Sequence, residues 1–157
     1  MSTPATRSQR LCALLAACVA LLLGGCDYDV PLSTRPERPV DGKLAGNWLS
    51  PHGWMMVRAF DPENYVVVHN GNTFRAWHST VEGVAYVTIQ SLDAAKPKYA
   101  YLTYTLAADE RRLDVRVVRD DVIPKTIKDT AAMRQAIAQH AGDTAHLGNP
   151  EPFTRMK

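Results

Sequence analysis

After residue 43 the chain alternates between short apolar segments and clusters of turn-forming residues. Short runs rich in β-branched and aromatic side chains, bounded by Gly, Pro, Asn or Asp, are typical of β-strands. No helical periodicity interrupts them before residue 120. The pattern predicts a mainly β fold, an antiparallel meander of about seven strands that forms a small barrel or half-barrel, with strands at 44–50, 54–60, 64–70, 73–80, 84–92, 98–106 and 111–119.

Two turns predict which residues share a face of this sheet. Asn70-Gly71 favours a type I′ hairpin, which would place Tyr65 opposite Ala76. The segment 61–64 has proline at its second position and favours a type I turn, so we expect Phe60 opposite Tyr65. This register gathers one face from Trp54, Met56, Arg58, Phe60, Tyr65, Val67, His69 and Phe74.

The opposite face of the predicted sheet is also apolar, and it includes Val57, Val66, Val68 and Trp77. A sheet with one solvated face should instead alternate between apolar and polar residues. We therefore expect another element to cover this second face.

Residues 126–141 predict the covering element, a helix near the C-terminus. The segment lacks proline and glycine, and Thr126 with Asp129 resembles a capping box. Gly142 suits the position just past the helix. A short closing strand could follow around Phe153. The apolar stripe of the helix, at helical spacing, consists of Met133, Ala136, Ile137 and His140.

A different pattern opens the chain, where Arg7 and Arg10 precede the apolar run Leu11–Cys26. A basic stretch, a short apolar run and small residues are typical of a secretory signal peptide. The sequence Leu23-Gly24-Gly25-Cys26 resembles the lipobox of bacterial lipoproteins. That resemblance implies cleavage before Cys26, a diacylglycerol thioether on its sulfur and usually an acylated amine.

The lipobox predicts a location in the bacterial cell envelope, anchored to a membrane by lipid and facing the periplasm. Asp27, directly after the cysteine, slightly favours the inner membrane. The predicted organisation is a signal peptide at 1–25, a lipidated flexible tether at 26–42 and a β domain at 43–157. The proline-rich tether would be extended, and the alternative is an ordered segment that lies along the domain.

Charge and cysteine content change the picture once the signal is set aside. Removing the first 25 of 157 residues leaves 132, with 16 basic and 16 acidic side chains. A nucleic-acid surface needs a basic face, so we expect no nucleic-acid partner. Cys12 and Cys18 lie in the signal and Cys26 carries the lipid, so no cysteine remains for a disulfide, a thiol nucleophile or a metal site.

The mature sequence also resembles lipocalin-like (calycin) barrels. Gly46-Asn47-Trp48 matches the Gly-x-Trp that opens their first strand, and the order of meander, helix and short last strand is similar. The resemblance implies a small barrel with a cavity, in which an arginine stacks on the tryptophan. Arg119 is one candidate for that arginine and Arg155 a second. An open sheet that carries the helix is the alternative.

Little in the sequence indicates catalysis. No serine elbow, zinc helix or phosphate loop occurs. The acidic pairs at 109–110 and 120–121 fall at strand ends, where solvated turn residues are expected. His140 is assigned to packing, and His69 and His78 should lie too far apart to share a ligand. We predict no enzymatic activity, no cofactor and no metal site.

Two functions remain open. The first is a non-enzymatic module that binds another envelope protein through surplus apolar sheet surface. The second is a carrier of a small apolar or anionic ligand, with Arg58, Trp48 and Trp54 as ligand-binding residues. An arginine inside a barrel could bind an anionic head group.

Overall fold

The computed structural model describes residues 28–157. Eight strands form a closed antiparallel barrel in chain order, and β8 pairs with β1. The predicted mainly β meander is confirmed, in its closed form, and the short last strand is present. The strands are β1 (Gly46–Ser50), β2 (Gly53–Ala59), β3 (Tyr65–His69), β4 (Asn72–Val81), β5 (Val84–Ser91), β6 (Tyr99–Leu106), β7 (Arg112–Val117) and β8 (Glu151–Arg155).

Strand β8 closes the barrel because it pairs on both sides. Phe153 lies opposite Leu113 of β7, and Arg155 lies opposite Trp48 of β1. Closure leaves no unpaired edge for another chain to extend. A barrel of eight strands has an interior that side chains nearly fill, with room for one small ligand at most.

The hairpin predicted at Asn70-Gly71 is confirmed. Both residues have positive φ, 48° and 87°, as a type I′ turn requires. Tyr65 lies opposite Ala76, as expected.

The expected register between β2 and β3 is wrong by one residue, because Ala59 and not Phe60 lies opposite Tyr65. Phe60 and Asp61 both donate their backbone N–H groups to the carbonyl oxygen of Asn64, so Phe60 belongs to the loop. A shift of one residue moves every side chain of a strand to the other face. Met55 and Val57 therefore point into the barrel, while Trp54, Met56 and Arg58 point outward.

The barrel interior is the first of two hydrophobic cores. Its side chains come from every strand, and Leu44 of a 3-10 turn (Gly42–Leu44) covers one end. The buried members are Leu44, Trp48, Val57, Tyr65, Val67, Phe74, Ala76, Val87, Ile89, Ala100, Leu113 and Phe153.

The second core lies outside the barrel, between strands β4–β6 and a helix, α1 (Thr130–Ala138). Met133 and Ile137 are completely buried there, which confirms these two members of the predicted apolar stripe, whereas His140 lies past the end of the helix. The helix is shorter than the expected 126–141. Its N-cap is Asp129, whose carboxylate accepts the N–H of Ala132, so Thr126 lies outside the helix.

Residues 28–41 complete this outer core, so the described part of the predicted flexible tether is instead an ordered segment. Tyr28 stacks on Tyr101 with ring centroids 4.7 Å apart, and Leu32 is completely buried. The indole N–H of Trp77 donates to the carbonyl of Ser33. Apolar residues of this segment cover strand faces that would otherwise meet water, which offsets the entropy lost by ordering it.

The predicted signal peptide, Cys26 and Asp27 lie outside the described residues. The helices among residues 28–157 all fall short of the length and hydropathy that a membrane span requires.

Candidate functional site

A cavity of about 170 Å³ lies inside the barrel. Its wall is mainly apolar because inward positions of the strands carry aliphatic and aromatic side chains. It reaches the barrel end where the turn between β1 and β2 meets the Asn70-Gly71 turn, at His52 and Asn70. The inner wall includes Met55, Val57, Val67, Phe74, Val87, Ile89, Leu102, Leu113 and Phe153.

His69 is a buried polar group within this mainly apolar wall. It is 5% exposed, and its Nδ1 atom has no hydrogen-bond partner among the described residues. Burial lowers the pKa of His69, and Glu151 opposes that shift only in part, so the ring is neutral at pH 7. A buried nitrogen without a partner costs about 1–3 kcal/mol, and a ligand group that bonded to it would recover that energy.

The mouth of the cavity carries a histidine–carboxylate pair. His52 Nδ1 lies 2.8 Å from Glu151 Oε1, and both residues line the cavity. Asn70 donates its side-chain amide to the carbonyl of His52, which ties the β3–β4 turn to the β1–β2 turn. The apolar interior therefore ends in a polar rim.

A buried hydrogen-bond chain lies toward the opposite end. The backbone N–H of Asp41 donates to the Tyr65 hydroxyl, whose oxygen is 2.8 Å from His78 Nε2. The tautomer of His78 decides which of the two groups donates in this contact, and His78 Nδ1 has no hydrogen-bond partner among the described residues. Burial raises the pKa of Tyr65 to about 12 and lowers the pKa of His78. Both groups are neutral at pH 7.

Trp48 and Arg155 fix the closed end of the cavity. The Arg155 guanidinium lies 4.2 Å from the centre of the Trp48 ring and donates to the carbonyl oxygens of Ala45 and Glu110. Trp48 donates its indole N–H to the carbonyl of Leu44, which lines the cavity. A Cβ on Gly46 would lie 2.4 Å from the Arg155 guanidinium, so a larger residue at the first position of Gly-x-Trp would displace that guanidinium.

Arg155, the second of the two candidates, is therefore the arginine that stacks on the tryptophan. Arg119 lies elsewhere and forms an exposed ion pair with Asp121. The acidic pair at 109–110 lies in the turn between β6 and β7, where Glu110 contacts Lys43, and Asp120 contacts Lys125.

Arg58 is not a cavity residue, contrary to the predicted register. Its guanidinium lies outside the barrel and donates to the carbonyl of Gly46 and the side-chain oxygen of Asn47. The structural reason is the longer loop between β2 and β3, which turns the side chain outward. Arg58 ties the outer surfaces of β1 and β2 together and cannot bind a ligand in the interior.

Trp54 also lies on the outside of the barrel, where it is 44% exposed beside Leu49, which is 51% exposed. Of the three residues proposed as ligand contacts, only Trp48 belongs to the interior, where it holds Leu44 and Arg155 at the closed end of the cavity.

His69 and His78 face the interior toward opposite ends, as expected. Sequence reasoning placed His69 on the correct face but did not identify it as a polar group in the cavity wall.

Comparison of the chain with protein-family models, with curated proteins and with solved structures finds no match in any of the three. The eight-stranded closed barrel is compatible with a calycin-like barrel.

Proposed function

We propose that this protein is a lipid-anchored, non-enzymatic protein of the bacterial cell envelope that binds a small apolar ligand inside its barrel. The observation that carries the proposal is the apolar cavity of about 170 Å³ with the unpartnered nitrogen of His69 in its wall. Sites for drug-sized molecules measure roughly 300–1,000 Å³, whereas a dry cavity of about 150 Å³ holds benzene. The matching ligand is a single ring or a short aliphatic chain.

The lining also indicates the polarity of this ligand. Binding would bury its apolar part against Val67, Phe74 and Ile89, and each buried methylene contributes about 0.8 kcal/mol. One hydrogen-bonding group on the ligand would pair with His69. A charged ligand is disfavoured because the wall offers no buried counter-charge apart from Glu151 at the mouth.

The anchor would hold the mouth near the membrane. Tyr28 pairs with Tyr99, the first residue of β6, at the end of the barrel where the cavity opens. Residue 26 precedes Tyr28 by two positions, so a lipid on Cys26 would lie within about 7 Å along the chain. The bilayer would therefore supply the ligand, an apolar compound that partitions into it.

Methyl NMR of the full chain in detergent, titrated with toluene and with p-cresol, tests this proposal. Both probes should shift the methyl signals of Val57, Val67 and Ile89. The p-cresol hydroxyl should improve affinity about 5-fold through His69, because a neutral hydrogen bond contributes about 1 kcal/mol. His69→Leu should remove that preference and leave toluene binding intact.

A matched pair of variants on β3 separates interior binding from surface binding. Val67→Phe fills the cavity and should abolish binding of both probes, while Val66→Phe adds the same group to the outer surface and should leave binding unchanged. Equal binding by the two variants would contradict the proposal.

A partner-binding surface is the second candidate, and the outer face of β1–β3 favours it. Leu49 and Trp54 are directly opposite each other, and Met56 and Val68 continue the apolar strip. Crosslinking in intact cells, with wild type compared with Trp54→Lys, tests this candidate. Capture of one protein that Trp54→Lys abolishes would support it, and recovery of monomer alone from the wild type would count against it.

The anchor is tested separately from the barrel. Cys26→Ser should prevent incorporation of labelled palmitate and leave an unprocessed precursor in cells. Normal maturation of Cys26→Ser would contradict the lipoprotein assignment, while the interior binding site would be unaffected.

A further inference from the structure

Three side chains of the types that ligate metals meet beyond the C-terminal end of α1, outside the barrel. They are His140, Asp143 and His146, and one ligand atom from each lies within 4.8 Å of the others. His140 Nδ1 is 3.8 Å from Asp143 Oδ1, and the two imidazole rings are stacked with centroids 5.4 Å apart. None of the three lines the barrel cavity.

The local backbone brings these residues together because α1 ends before residue 140. The N–H of His140 donates to the carbonyl of Ile137, and the N–H of Asp143 donates to the carbonyl of His140. These tight turns fold the chain back over the last turn of the helix. His146 is then fixed to the barrel, since its carbonyl accepts the N–H of Arg119.

His146 supplies an independent indication of a ligand. The residue is 2% exposed, and its Nε2 atom is 2.9 Å from the hydroxyl of Tyr86 on β5. Its other ring nitrogen, Nδ1, is buried and has no hydrogen-bond partner among the described residues. Buried polar atoms are nearly always paired, so a buried histidine that has an unpartnered ring nitrogen and clusters with two other ligand-type residues needs an explanation.

We propose that His140, Asp143 and His146 bind a divalent transition-metal ion such as Zn²⁺. Two imidazoles and one carboxylate form a donor set that suits Zn²⁺, and three protein ligands leave a fourth tetrahedral position open. Bonds of about 2.0–2.2 Å place tetrahedral ligand atoms roughly 3.5 Å apart. The two ligand atoms that are farthest apart, at up to 4.8 Å, must therefore approach each other by a little more than about 1 Å.

The surroundings allow that closure and orient the ligands. The Asp143 side chain is 56% exposed and that of His140 is 28% exposed, so both can rotate toward the ion. His146 stays in place, because the Tyr86 hydroxyl oxygen can accept a hydrogen bond from Nε2–H, which leaves the Nδ1 lone pair for the metal. Such an outer-shell hydrogen bond commonly fixes the tautomer of a ligating histidine.

Bound metal would join the end of α1 to the loop that leads into β8. The end of α1 and this loop pack on the outer core, and none of the three ligand residues lines the barrel cavity. The metal site and the proposed ligand cavity are therefore independent. A ligand that binds only the folded state stabilises it by an amount that grows with the logarithm of the ratio of its concentration to Kd. The open fourth position would hold water or a donor atom from a partner.

Calorimetric titration of the chelator-treated full chain with Zn²⁺ tests the site. The wild type should bind one ion per chain. His140→Ala and Asp143→Ala should each lower the affinity at least about 100-fold, and Tyr86→Phe about 10-fold, as expected for the loss of an outer partner. His52→Ala removes a different surface histidine next to a carboxylate and should bind as the wild type does.

Circular dichroism checks that each variant folds. Asp143, whose side chain is 56% exposed, is the substitution that disturbs packing least. Absence of saturable Zn²⁺ binding by the wild type would overturn the proposal. Binding that His140→Ala and Asp143→Ala leave unchanged would also overturn it. Neither result depends on whether the barrel binds an apolar ligand.

Discussion

Replacing Arg155 with alanine tests how the closed end of the barrel is held. In the wild type the guanidinium lies over the Trp48 ring and donates to three carbonyl oxygens, those of Lys43, Ala45 and Glu110. These contacts connect β8 to the turn before β1 and to the β6–β7 turn. Arg155→Ala would free all three connections at once.

The expected loss follows from the contacts. The cation–π contact contributes about 0.5–2 kcal/mol, and hydrogen bonds from a charged donor contribute about 1.5–3 kcal/mol each when buried. The carbonyl of Lys43 is exposed and regains a bond to water, and the other two are only partly buried. We therefore expect a loss of about 2–4 kcal/mol in the free energy of unfolding, or a fall of about 10 °C in Tm.

Urea unfolding followed by circular dichroism measures this change. Arg155→Lys should lose about half as much free energy of unfolding, since lysine keeps a positive charge over the Trp48 ring but lacks the planar guanidinium and its fixed set of N–H donors. Arg119→Ala removes an exposed arginine of the same type and should leave the unfolding midpoint unchanged. An Arg155→Ala variant within about 0.5 kcal/mol of the wild type would refute the reasoning.

Three further predictions concern the turn, the helix and the pH profile. Gly71→Ala should lower the free energy of unfolding by about 1–2 kcal/mol because φ is 87°, whereas Gly42→Ala meets no atom and should be neutral in the same urea assay. Ile137→Ala should cost about 2–5 kcal/mol, since it empties a fully buried site beneath α1, and urea unfolding that matched the wild type would contradict burial there. Three buried histidines have lowered pKa values, so the unfolded chain gains more protons than the folded one as the pH falls below 6.5. Urea midpoints should therefore be flat above about pH 7 and fall toward about pH 5, and a flat profile throughout would contradict neutral burial. The histidines are His69, His78 and His146.

Local turn chemistry explains which parts of the barrel could be predicted from sequence. Asn70-Gly71 needs positive φ at both central residues, so its residue types determine the hairpin and its register. The turn at 61–64 has no such requirement. Phe60 joins this loop because its N–H donates to the carbonyl oxygen of Asn64, and no residue type in the segment predicts that bond. That single residue moved Arg58 from the predicted interior to the outer surface.

The ordered N-terminal segment shows a second limit. Its prolines correctly indicate a backbone without helix or central strand, but the segment bends repeatedly as it follows the barrel surface. Whether such a segment extends into solvent depends on the surface available to it, and that surface is assembled from β4, β5 and β6. Tyr28 and Leu32 have their partners far along the chain, so local composition did not reveal them.

The metal-binding cluster illustrates the same limit at a site. The regular spacing of His140, Asp143 and His146 is visible in the sequence. A helix that ran to residue 141, as the composition predicted, would keep His140 on its packing stripe. The actual end of α1 at Ala138, followed by tight turns, directs His140 toward the other two residues.

Diffraction from a crystal of the full chain soaked with p-cresol tests the central claim, interior ligand binding, most directly. We predict electron density for one molecule among Val57, Val67 and Ile89, with its hydroxyl within hydrogen-bond distance of His69. Density only on the outer face at Leu49 and Trp54, or a cavity filled by ordered water at saturating p-cresol, would contradict the account.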